Sequence, residues 1–146
     1  MQLTHFTDLG LRVLMYLSYQ DRETPVTIGE IAERFAVSRN HLIKVVHFMA
    51  LQGWLLTTRG KGGGLALGHA ASHYRLGHVI KVLEGATELI DCAEPPCKLR
   101  GHCQLKALLD QAMDTFFTAL DTYTLTDAVA SPTSEAIVML HQLRPS

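Results

Sequence analysis

From residue 34 to residue 83 the chain contains no Asp or Glu. The same stretch carries Arg34, Arg39, Lys44, Arg59, Lys61, Arg75 and Lys81, with five of the eight histidines. All fourteen acids and the other six bases lie outside it, so a formal net charge of −1 conceals a +7 segment and a −8 remainder. An ordinary solvated surface mixes both signs; a long acid-free basic stretch is the electrostatic footprint of a polyanion-binding surface. Long apolar runs are also missing, and none reaches the ~18 residues needed to cross a bilayer. The opening MQLTHFTDLGLRVLMYL shows no basic leader or cleavage site and carries Asp8 and Arg12 inside its apolar pattern. It reads as an amphipathic helix, so no membrane partner is expected and the expected compartment is cytoplasmic. Cysteine is scarce and odd in number, three in all, which argues against a disulfide framework. Enzyme chemistry lacks its parts as well. No nucleophile stands in a recognisable setting, and RGKGGG has no Ser or Thr after Lys61, as a phosphate loop requires.

What is present is a series of helical patterns in a chain of 146 residues, one domain with room for an appendage. Residues 7–19 read as a first helix, with Thr7 as its cap. DRETPV leads into a short extended segment. Thr27 and Glu30 form a capping-box signature for a second helix whose apolar face is Ile28, Ile31, Ala32 and Phe35. After a tight link at Ala36 and Val37, Ser38 caps a third helix, which stops at Gly53. Its inward stripe of Leu42, Val45, Val46 and Met49 leaves Arg39, Asn40, Lys44 and His47 outward. WLLTTRGKGGGLALG is a β-hairpin signal, and LGHVIKVLE a short helix. Residues 104–127 form the longest helical pattern, with a near-heptad apolar stripe that needs a partner. A break near Pro132 then precedes a loosely attached segment through Ile137 and Leu140.

Helix, tight turn, basic capped helix and hairpin, in that order, predict a mainly α fold: a winged helix-turn-helix with a small hairpin wing and a long dimerisation helix. The second helix of such a pair enters the major groove. Arg39 suits guanine O6/N7 and Asn40 suits adenine N6/N7, with His41 and Lys44 close by. Ser38 and the helix N-terminus suit a phosphate. Arg59 and Lys61 stand on a glycine turn thin enough to enter a minor groove or grip its phosphates. With Thr27, these residues are the expected DNA contacts.

All three cysteines lie in CAEPPCKLRGHC, as Cys92, Cys97 and Cys103. The spacing is C-x4-C-x5-C, without the C-x2-C pair usual for zinc. Three thiolates on a loop with two prolines and a glycine better suit a larger object, an iron–sulfur cluster. Zinc is the competing reading, and the fourth ligand is left open among Asp8, His5, Asp91, Glu94 and His102.

MQLTHFTDLGLRVLMYL, VSRNHLIKVV, RGKGGGLALG, the cysteine loop and YTLTDAV together resemble the nitric-oxide-sensing NsrR-type repressors of the winged-helix iron–sulfur regulator family that also contains IscR. The resemblance covers residues 1–129. It implies a homodimer joined through the long helix, a cluster (most simply 4Fe–4S, with 2Fe–2S the alternative) that tunes operator binding, and derepression by nitric oxide. It also implies that Asp8 of the partner subunit completes the coordination of Cys92, Cys97 and Cys103. IscR-like members place a histidine where this chain has Lys106, and relatives often carry a basic residue where it has Ala66. The implied organisation is a DNA-binding domain over 1–84, a cluster loop over 85–103, a dimerisation helix over 104–129 and a flexible tail over 130–146. The implied partner is double-stranded DNA with an inverted repeat. The alternatives are a zinc-stabilised constitutive DNA-binding protein and an IscR-like sensor of iron–sulfur status.

Overall fold

The computed structural model describes residues 1–85 and 87–143. Helices α1 (His5–Leu17), α2 (Ile28–Phe35) and α3 (Arg39–Leu51) are followed by strands β1 (Leu55–Thr57) and β2 (Leu65–Leu67). A single 3-10 turn, Ala71–His73, leads to α4 (Leu76–Glu84). Beyond the cysteine loop come α5 (Gln104–Leu120), α6 (Leu125–Ala128) and α7 (Thr133–Gln142).

α1 is the axis of the core. Leu9, Val13, Leu14 and Tyr16 are fully buried, facing the inward stripe of α3 (Leu42, Val45, Met49) and Val79 and Leu83 of α4. Burying each such side chain contributes about 1.5–3 kcal/mol relative to exposure. The apolar periodicity thus assembles α1, α3 and α4 around one centre and leaves the polar side of α3 free.

The cap of α1 lies earlier than the sequence pattern suggests. Thr4, not Thr7, accepts the end N–H, that of Thr7, at 3.3 Å. Thr7 is itself wholly buried inside the first turn. Glu84, at the end of α4, accepts from the Thr4 N–H at 2.8 Å and from its hydroxyl at 3.0 Å. Burial alone would raise the Glu84 carboxyl, but the bonds from Thr7 and Thr4 hold it below its ordinary value.

The hairpin pairs Leu55 with Leu67 and Thr57 with Leu65, antiparallel. The extended segment after DRETP adds one bridge, the Leu65 N–H donating to the Val26 carbonyl at 2.7 Å. Tyr74 fastens the base of the hairpin. Its buried hydroxyl donates to the Trp54 carbonyl at 2.7 Å and accepts from the His69 N–H at 3.1 Å.

The long helical pattern divides. α5 ends at Leu120, and the chain restarts as α6 with a complete capping box between Thr124 and Asp127. The Leu125 N–H bonds the Tyr74 carbonyl at 2.9 Å, tying α6 to the 3-10 turn. The expected single helix over 104–127 is therefore two. α5 itself touches the rest of the chain mainly where it crosses α4. There Gly77 lies so close to the Phe117 carbonyl that a Cβ would stand 2.1 Å from it. Of its 17 residues only Phe117 is buried, and Leu105 and Leu108 are 59% and 54% exposed.

The segment expected to be a loosely attached tail is instead largely the helix α7. Ile137 is 5% exposed, and the Arg34 guanidinium donates to the Leu143 carbonyl at 2.6 Å. No helix among the described residues is long and apolar enough to cross a membrane.

Candidate nucleic-acid interface and cysteine loop

The turn between α2 and α3 is closed by Ala36 in the left-handed conformation, φ 50°. That turn aims the first turn of α3 outward. Ser38 accepts from the His41 N–H at 3.4 Å, so its hydroxyl is the cap. Arg39, Asn40, His41 and Lys44 are all exposed, and among the described residues none of their side chains is in an ion pair. Thr27, Arg59 and Lys61 are exposed as well. In the wing, Gly63 sits where a Cβ would meet the Thr58 carbonyl at 2.1 Å, so the narrow turn carrying Arg59 and Lys61 requires glycine there. The structure thus presents every side chain of the expected DNA set to solvent, on α2, α3 and the wing. His5 lies edge-on to His41, with ring centroids 6.0 Å apart, which brings the start of α1 beside the start of α3.

Thr27 is a cap, its hydroxyl accepting from the Glu30 N–H at 3.1 Å. The reciprocal half of the expected capping box is absent. The Glu30 carboxylate turns away to a fork from Arg22, at 2.6 and 3.1 Å, and to the Tyr16 hydroxyl. Burial opposes ionisation of Glu30, but the hydrogen bonds from Arg22 and Tyr16 hold its carboxyl below the ordinary value. Burial and the bond to Glu30 push the Tyr16 phenol up to about 12. Sequence reasoning missed this network, because its members are far apart in the chain.

The cysteine loop closes on itself through the Cys97 N–H and the Cys92 carbonyl, 3.1 Å apart. Cys103 caps α5, its sulfur accepting from the Lys106 N–H at 3.5 Å, at a helix end whose free N–H groups favour negative charge. Cys92 and Cys103 border a cavity of about 290 Å³, along with Asp91, Arg100, Lys106 and Asp110. Lys106 is held there by Asp110 at 2.7 Å and Glu88 at 3.7 Å. The Asp110 hydrogen bond, with Glu88 and Cys92 adding attraction, raises its ammonium above the ordinary value. All three cysteines are free thiols, and Cys97 is exposed.

A donor set of three thiols on one loop fits a cluster in kind. In position the match is incomplete: among the described residues no three His, Cys, Asp or Glu side chains converge as a metal site. Asp91 reaches the same cavity but accepts from the Ala93 N–H. Glu94 and His102 are exposed on the loop. Asp8 does not line that cavity; it is forked by Arg12 of its own helix at 3.0 and 2.9 Å and lies 4.0 Å from His5. The Arg12 guanidinium in turn lies 5.8 Å from the centre of the Phe35 ring on α2. One chain thus brings Cys92 and Cys103 together at a cavity and does not bring Asp8 to them.

A paired helix with a basic reading face, followed by a two-strand wing, defines a winged-helix regulator. The chain belongs to the Rrf2 family: residues 3–131 match the family described as "Iron-dependent Transcriptional regulator". It is a transcriptional regulator and not an enzyme, and members of the family bind DNA and are typically dimeric. The fold is similar to that of CymR, the global cysteine regulator of B. subtilis, at 24% identity over 92% of this chain and 98% of that one, TM-score 0.71. It is also similar to the oxidized form of S. aureus CymR, at 26% identity over 86% and 93%, TM-score 0.65. T. potens IscR matches at 20% identity over 100% and 94%, TM-score 0.68.

Proposed function

We propose that this regulator is a repressor whose operator affinity is set by an iron–sulfur cluster on Cys92, Cys97 and Cys103 and relieved by nitric oxide. The observation that carries the reading is the concentration of every cysteine, all free, in one loop that borders a cavity at the head of α5. When bound, such a cluster supplies iron that a small diatomic molecule attacks. The chain's own part is to hold three thiolates and to leave the remaining position to a weaker oxygen ligand, Asp8 of the partner subunit.

Asp8 has a competing partner in Arg12, and Arg12 touches Phe35 of the helix that precedes the reading helix. Exchange of Asp8 between Arg12 and a metal would therefore be felt at α2. A coupling of about 1–3 kcal/mol, roughly 5–150-fold in DNA affinity, is enough for regulation. The dimer would present its two reading helices about one DNA turn, ~34 Å, apart on an inverted repeat.

Asp8→Ala is expected to retain the visible absorbance of the cluster while losing the nitric-oxide effect on DNA affinity. Gel-shift titration of the anaerobic protein before and after nitric oxide checks this. A variant with undiminished response would remove Asp8 from the switch. A zinc-bound constitutive regulator would instead be colourless and indifferent to nitric oxide.

A further inference from the structure

His141 reaches back from α7 to lie flat on Tyr16 of α1, with ring centroids 3.8 Å apart and planes 13° from parallel. Its Nε2 is 2.8 Å from the Tyr16 carbonyl, and its Nδ1 is 2.9 Å from an Arg22 Nη1. These two contacts fix its chemical form. The guanidinium has only hydrogens to offer, so Nδ1 is the acceptor. The Tyr16 carbonyl is only an acceptor, so Nε2 carries the proton. The ring is neutral and in a single tautomer. It caps one of the carbonyls that the C-terminal end of α1 leaves without a helical partner.

We infer that α7 is a strap on the helix-turn-helix that neutral His141 fastens and protonated His141 releases. A proton on Nδ1 replaces the acceptor facing Arg22 with a second donor, and it sets two cations against each other. The groups facing His141 are Tyr16 from α1, Tyr19 and Arg22 from the following loop, and Glu30 and Arg34 from α2; Asp21 and Glu33 border the same seam. Of these, Glu30 attracts the protonated ring, but its carboxylate is already forked by Arg22 and bonded by Tyr16. Burial first, then Arg22 and Arg34, lower the His141 imidazole from its ordinary 6.5. A group held neutral in the docked state and free to charge once released stabilises docking fully above the released value. That contribution is lost as pH falls below about 6.5.

The second fastening of the strap lies on the DNA-reading unit. The Arg34 bond to the Leu143 carbonyl joins the end of α7 to the last turn of α2. Release of α7 therefore frees the first helix of the reading pair from the C-terminal part of the chain. The device does not depend on whether the cysteine loop holds a cluster.

Hydrogen exchange of the full-length protein, corrected for intrinsic rates, tests it at about pH 8 and about pH 5.5, either side of a free histidine's titration. Peptides covering 133–142 are expected to lose protection several-fold on acidification in the wild type. In His141→Phe, which keeps the ring stack and cannot titrate, they are expected to keep the same protection at both values. Equal wild-type protection at both pH values overturns the inference, and so does an equal acid loss in His141→Phe. Independently, nitrogen-15 correlation spectra at about pH 8 are expected to show the proton of His141 on Nε2; the opposite tautomer also overturns it. Peptides spanning 92–103, read in the same experiment, report any acid loss from the cysteine loop separately.

Discussion

Single side chains decide how the hairpin and the reading face are held. Tyr74 is the clearest case, since its hydroxyl donates to the Trp54 carbonyl and accepts from the His69 N–H at the base of the wing. Tyr74→Phe removes both bonds without changing the packing. The Trp54 carbonyl keeps its bond from the Gly68 N–H, so the change is expected to lower unfolding stability by about 0.5–1.5 kcal/mol for each of the two lost bonds, read by urea denaturation. On the face proposed to meet DNA, Arg39 and Lys61 are both exposed. Arg39→Ala is expected to cost about 1–3 kcal/mol in operator binding and to relax preference at one base pair. Lys61→Ala is expected to weaken all sequences alike and reduce the salt slope by about one, both read in salt-titrated binding isotherms. The caps at Thr27 and Ser38 were legible because their preference is local. The fate of Glu30 was not: a capping-box glutamate and a glutamate recruited by Arg22 and Tyr16 have the same sequence signature. Thr7 misled for a similar reason, since Thr4 and Thr7 are both competent caps and only burial of Thr7 chooses between them.

At the scale of elements, periodicity served best where an apolar stripe meets its partner within the same chain. α3 and α4 lie where their patterns put them, and the hairpin forms between its two apolar runs. It served less well for residues 104–127. There the stripe runs on while the backbone turns after Leu120, because the Thr124–Asp127 cap and the bond from Leu125 to Tyr74 favour a fresh helix. α7 is held by buried Ile137 and by two polar contacts that the sequence pattern does not show, those of His141 and Arg34, whose partners lie 125 and 109 positions away. α5 carries a face that nothing in the described residues covers, with Leu105 and Leu108 exposed. A second copy of α5 is the partner we propose for it. Leu108→Asp is then expected to shift the protein from dimer to monomer in sedimentation equilibrium while leaving helix content intact. A dimer of unchanged affinity would place the interface elsewhere.

For the molecule as a whole, the +7 stretch of residues 34–83 contributes the turn between α2 and α3, then α3, the hairpin and α4. The acidic remainder contains the cysteine loop and all of α5, where Asp110 and Glu88 hold Lys106 beside Cys92. The winged-helix class was therefore legible from pattern and charge. The proposed site was legible only in its residue types, because three thiols gathered on one loop leave no periodicity. The most direct test of the account measures iron, acid-labile sulfide and zinc in anaerobically purified protein and follows operator binding before and after nitric oxide. The account predicts about four iron and four sulfide per chain and an operator affinity that falls when nitric oxide is added. Stoichiometric zinc without sulfide, and binding that nitric oxide leaves unchanged, would contradict it.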